Sequence, residues 1–177
     1  MAIFSRRTAA LFGFFSAVLG LPKWSAGASG PRLATSAGGA VALGPSWTRI
    51  ALVADGGKEA LRQRLTGLGP DMHVQIVLRD LQAAAQPGVV YEVYFGLPPG
   101  QVPAGSEPVG VLNFFAVAPP NPGRSISRAY DITGRMRTLL SLGLPDDRIA
   151  VTIAAGSGQI FNAAAHPTIG TVELVIQ

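Results

Sequence analysis

Apolar positions in this chain come in short runs, alternating or continuous, and glycine and proline separate them. That pattern predicts many strands and few helices. In residues 89–95, alternation sets Val89, Tyr91, Val93 and Phe95 on one face and Val90, Glu92 and Tyr94 on the other. These β-branched and aromatic side chains suit a pleated, half-buried surface. Gly96-Leu97-Pro98-Pro99-Gly100 ends the strand, because proline cannot donate to a ladder. After Gly105 and Pro108, residues 109–117 resume as an almost unbroken apolar run, interrupted by Gly110 and Asn113. Such a run predicts a strand covered on both faces.

Further strands are predicted at 47–54, 72–81, 129–133, 148–154 and 168–176. Residues 58–68 carry Leu61, Leu65 and Leu68 at helical spacing and predict one helix. Residues 134–142 predict a second, capped by Asp131 or Thr133 and ended by Gly143. The connections are too short and the helices too few for a parallel α/β sheet. Strands with turn signals at this spacing predict a sandwich or barrel. The expected fold is all-β: an antiparallel β-sandwich of seven or eight strands with two short helices.

Residues 1–28 have the pattern of an export signal. Arg6 and Arg7 supply a positive twin-arginine start, residues 9–21 an apolar run, and Ala26-Gly27-Ala28 a small-x-small cleavage pattern. The run is shorter than the roughly 20 residues of a spanning helix, so no membrane attachment is expected after cleavage. Twin-arginine and general secretory export both remain open, and either places the protein in the periplasm or outside the cell. Residues 29–46, rich in glycine, alanine and serine, predict a flexible linker in which Leu33 and residues 41–43 offer at most an edge strand. Residues 47–177 form the expected domain.

Composition narrows the function. The 177 residues are 48% hydrophobic and 14% charged, with 22 glycines and 14 prolines, which is ample core material in a turn-rich chain. The formal net charge is +4. Three of the 14 basic residues (Arg6, Arg7 and Lys23) fall in the export signal, leaving 11 against 10 acidic residues, a net +1. No nucleic-acid partner is therefore expected. Arg124, Arg128, Arg135 and Arg137 are interleaved with Asp131 and predict a solvated surface.

Candidate chemistry is sparse. The absence of cysteine excludes disulfides, thiolate metal sites and a cysteine nucleophile. His73 and His166 are the only histidines, and a zinc site normally needs about three or four ligands. No metal or other cofactor is expected. Asp146-Asp147, after Pro145, predicts a helix-to-strand connector rather than an acid/base pair. Gly156-Ser157-Gly158 lacks the full frame of a nucleophile elbow and predicts a hairpin turn. No residue is assigned a catalytic role.

Four blocks carry a family resemblance: Tyr91-Glu-Val-Tyr-Phe-Gly-Leu-Pro; Val109-Gly-Val-Leu-Asn-Phe-Phe; Tyr130-Asp-Ile-Thr before a leucine-rich helix; and Ile149-Ala-Val-Thr-Ile ahead of Ile169-Gly-Thr-Val-Glu-Leu. Together, over residues 47–176, they resemble the C-terminal domain of tyrosinases and polyphenol oxidases, which is similar to the C-terminal β-sandwich of hemocyanins. The helical bundle whose histidines hold the copper pair in those enzymes has no counterpart here, so oxidase activity is not carried over. The resemblance implies a non-catalytic accessory domain that packs on or shields a separately encoded tyrosinase-like dicopper oxidase. The alternative is an exported binding module for a small molecule or glycan, since sandwiches often host such sites. Loops 97–108 and 118–128 flank the strand at 109–117 and are expected at opposite ends of the fold. The first is the preferred contact surface, because its prolines lower the entropy lost on binding. Gln101 and Ser106 are its candidate partner-binding residues.

Overall fold

The computed structural model describes residues 30–117 and 126–177, and among these it holds ten strands and two α-helices. In chain order they are β1 (Arg32–Ser36), β2 (Val41–Ala42), β3 (Thr48–Ala54), α1 (Gly57–Thr66), β4 (Val74–Leu81), β5 (Tyr91–Phe95), β6 (Gly110–Leu112), β7 (Ile126–Asp131), α2 (Thr133–Ser141), β8 (Ala150–Ala155), β9 (Thr168–Ile169) and β10 (Thr171–Ile176). Eight of them form one antiparallel sheet in the order β6-β5-β8-β3-β1-β10-β4-β7, and β2 pairs with β9 in a small second sheet. The fold is all-β.

The large sheet curls until its two edges meet. A Cβ added at Gly110 on β6 would overlap the ring of Tyr130 on β7. The Tyr130 hydroxyl donates to the Val111 carbonyl at 3.0 Å. The two layers expected of a sandwich are thus opposite walls of a single, nearly closed sheet, an arrangement that hides most strand edges. One hydrophobic cluster fills the interior, drawing on all eight strands and on both helices. Along β5, Tyr91, Val93 and Phe95 point inward as alternation requires, and Leu112 joins them from β6. Val93, Phe95 and Leu112 each contribute on the order of 1.5–3 kcal/mol by leaving water, whereas the buried Tyr91 hydroxyl has no hydrogen-bond partner among the described residues, which offsets its gain.

Neighbouring strands run in opposite directions, so β3, β5 and β7 finish, and β6 begins, at the same end. The helices that follow β3 and β7 close that end. Leu61 and Leu65 of α1 and Met136 and Leu139 of α2 are buried there at helical spacing. The N-cap of α2 is Ile132, which makes no side-chain cap bond, and the two residues predicted to cap the helix act beside it. Asp131 Oδ1 accepts from the Thr133 amide at 2.8 Å, while the Thr133 hydroxyl accepts from the Val74 amide at 2.9 Å and so ties the helix to β4. Past α2, the Gly143 and Leu144 amides return to the carbonyls of Leu140 and Leu139.

Several expectations are corrected. The stretch 29–46, read as a flexible linker, contains β1, which lies inside the sheet between β3 and β10 with Leu33 and Ala34 fully buried. Its small residues suit a crowded position: the Ser36 hydroxyl even accepts from the Val172 amide at 3.2 Å. Residues 109–117 are not a doubly covered central strand. β6 is three residues long and lies at the sheet edge, with Val111 53% exposed. The apolar run continues because the following turn buries Phe114 edge-on against Tyr91, with ring centroids 5.9 Å apart.

The last strand is split at Gly170, where a Cβ would come within 2.6 Å of Asp80 Cβ. That close approach separates β9 from β10. Gly156–Gly158 is not a hairpin turn either: β8 already has β3 and β5 on its two sides, so no following strand can pair with it.

Candidate functional site

β5 leaves the sheet at Gly96, whose φ of 77° favours glycine. A Cβ there would press on Leu139 Cδ1 at 3.0 Å. The Gly96 amide still donates to the Ala150 carbonyl at 3.2 Å, and residues 97–108 then form a loop over the helical end. Two tight turns shape this loop, with the Gln101 amide donating to Pro98 O at 3.2 Å and the Ser106 amide to Pro103 O at 2.9 Å. The Val109 amide brings the chain back to β5 through Val93 O at 2.7 Å.

Arginines fasten the loop at both ends. Arg49 on β3 donates from Nη1 to Leu97 O at 2.8 Å and from Nη2 to Asp147 O. Burial lowers the pKa of its guanidinium, opposed by the nearby Asp147, and the group stays cationic at neutral pH. Arg135 on α2 donates to Glu107 O at 3.1 Å, with the Glu107 carboxylate 3.7 Å away.

Between the fastened loop, the end of β5, α2 and the short helical turn Asp146–Arg148 lies a cleft of about 470 Å³. Phe95 and Leu139 give it an apolar floor, Gln101, Ser106 and Thr138 add polar groups, and Glu107, Arg135 and Arg148 add charge. The Thr138 hydroxyl is engaged with Gly134 O at 3.2 Å. The side chains of Gln101, Ser106 and Arg148 make no hydrogen bond or ion pair among the described residues. The two residues picked from sequence therefore line one cleft together. Loop 97–108 lies at the helical end, whereas β6 finishes, and β7 begins, at the opposite end.

Reasoning from sequence missed Arg49 and Arg148 here; Arg135 is exposed, as predicted, and also fastens the loop. Local sequence could not have marked Arg49, whose partners lie 48 and 98 residues away. A second cleft, of about 420 Å³, lies between α1 and α2, lined by Leu65, Leu68, Val74, Met136 and Leu140 among others.

The other candidate groups are engaged elsewhere. His73 Nδ1 lies 2.9 Å from Asp131 Oδ2. Burial pushes the Asp131 pKa up, but hydrogen bonds from Thr133 and His73 outweigh it and hold the carboxyl below its ordinary value. Asp146 pairs with Lys58 at 3.3 Å, and the turn it begins does connect helix to strand. Burial raises the Tyr91 phenol to about 12. Burial and the bond to Glu92 raise Tyr94 to about 12. Both are neutral at physiological pH.

Among the described residues, no group of three His, Cys, Asp or Glu is placed to hold a metal ion, and no helix is long and apolar enough to cross a membrane. The export-signal candidates Arg6, Arg7, Ala26 and Ala28, and residues 118–125 of the second loop, lie outside the described residues. Neither a protein-family model nor a curated protein matches this chain.

Proposed function

We propose that this chain is a non-catalytic binding domain that works through the cleft between loop 97–108 and α2. The observation that carries this reading is a fastened, partly apolar cleft in which three polar side chains (Gln101, Ser106 and Arg148) have no partner among the described residues. Its volume falls within the roughly 300–1,000 Å³ of small-molecule sites. Groups suited to acid–base chemistry, such as His73 and Asp146, are engaged in structural pairs, which supports a binding role over a catalytic one. Filling the cleft with Ser106→Trp should abolish ligand binding in a calorimetric titration while the thermal midpoint stays unchanged. Undiminished binding by that variant would defeat the reading.

A second reading follows the sequence resemblance: an accessory domain for a tyrosinase-like dicopper oxidase made as a separate chain. Leu142, 56% exposed at the cleft, and Val102, 58% exposed in the loop, favour it as apolar points for a protein partner. Charge introduced at Gln101 and Ser106 should then weaken binding to a co-encoded oxidase. Full affinity in those variants would remove this surface from the reading. For either role we propose export to the periplasm or the cell exterior, with cleavage after Ala28. Terminal sequencing of the mature protein should start at Ser29, and an intact Met1 would refute it.

A further inference from the structure

We infer that the ligand of this cleft is a monoanion, a carboxylate carried on a compact apolar body, with Arg148 as its anchor. The inference rests on the binding reading above and goes beyond it in fixing the chemistry of the ligand. Three charged residues line the cleft, and they are not equivalent. Arg135 is engaged with Glu107 through both its backbone carbonyl and its carboxylate. That pair is internally neutral and serves to hold the loop. Arg148 has no partner among the described residues.

The carboxylates beside Arg148 in sequence do not compensate it. Asp146 pairs with Lys58, and Asp147 acts on Arg49. One uncompensated positive charge therefore faces the cleft. A guanidinium is a planar fork of donors that a carboxylate can meet with two parallel hydrogen bonds, a geometry well suited to one negative charge. A phosphate ion can meet the same fork but has no apolar part to set against the floor. The floor sets the rest of the ligand: Phe95 and Leu139 are apolar, and Leu142 stands exposed beside them, so an uncharged body leaves water by lying there. Gln101 and Ser106 supply donors and acceptors for a polar substituent on that body.

The test is a titration of isotope-labelled protein followed by amide chemical shifts. The probes are phenylacetate and hexanoate, each against its uncharged amide, with inorganic phosphate as a further arm. The expected result is that the carboxylates shift Gly96, Gln101, Ser106 and Leu139 and bind about tenfold or more tightly than their amides. Arg148→Gln should bring each carboxylate down to the affinity of its amide and leave the amide unchanged. Arg148→Lys should restore part of the difference. Because the Arg148 side chain holds nothing else among the described residues, both variants should fold with an unchanged thermal midpoint. Equal binding of carboxylate and amide at these residues would overturn the ligand class but leave the cleft as a binding site. Phosphate binding as well as phenylacetate would overturn the apolar body. No shift at these residues with any probe would overturn both this inference and the binding reading.

Discussion

Helix α2 lines two clefts of similar size, and they differ in what frames them. Arg135, Thr138, Leu139 and Leu142, at spacings of three and four, face the cleft under loop 97–108. Thr133, Met136, Arg137 and Leu140 face the one beside α1. In the second, the hydroxyls are all engaged: Thr133 with the Val74 amide, Thr66 with Arg62 O and Ser141 with Thr138 O. What remains is an apolar gap between helices with one exposed side chain, Arg137, at its rim, which likewise has no partner among the described residues. In the first, framework arginines hold the walls while other polar side chains inside have no partner. Size alone does not mark a binding site. The first cleft differs from the second in its fastened loop and in gathering three unpartnered polar side chains over one apolar floor.

The largest effect should come from the floors. Met136→Ala and Leu139→Ala each remove a buried side chain and should cost about 2–5 kcal/mol in denaturant unfolding. A loss near zero for Leu139→Ala alone would mean that the first cleft is not founded on the core. Glycines sharpen the contrast at a smaller scale. Gly96→Ala meets both a left-handed φ and the Leu139 side chain, and should cost about 1–3 kcal/mol. Gly134→Ala, in α2 with open space around it, should instead stabilise by roughly 0.5–1 kcal/mol. Calorimetric midpoints moving the same way in both variants would contradict this.

The smallest effect separates the two sides by pH. Asp131 holds the start of α2 and has a depressed pKa, so its contribution is complete above the ordinary aspartate value of about 4 and fades as pH falls through its lower folded value. With the side chain half exposed, solvent screening limits this to less than about 1 kcal/mol. Asp131→Asn should flatten that part of an acid unfolding profile. The Arg49 bonds to backbone carbonyls involve no titrating acceptor, so amide exchange at the Leu97 end of the loop should not follow the same acid transition.

Much of the fold was readable because it follows period: β5 alternates, α1 and α2 repeat at helical spacing, and glycine or proline marks their ends. β1 was hidden because Ala34, Thr35 and Ser36 carry little hydrophobic signal, and a central strand between close neighbours needs small residues more than large ones. Residues 109–117 misled for the converse reason. Phe114 and Val117 reach the core from a turn, so the run is apolar without being a strand. Gln101 and Ser106 could be picked from a proline-rich loop. Arg148 could not, since its place beside Phe95 and Leu139 arises only once β5, α2 and β8 converge on one end.

β1 and β10 are neighbours in the middle of the sheet, and Ser36 reaches across to Val172, 136 residues later. During synthesis β1 and β4 therefore emerge long before the strand that belongs between them. Until β10 leaves the ribosome, each has an open ladder edge, and no local hairpin can substitute. The nascent chain passes through an interval in which two apolar strands are exposed to each other and to neighbouring chains. Holding factors that bind extended apolar segments would have their greatest effect on yield in that interval.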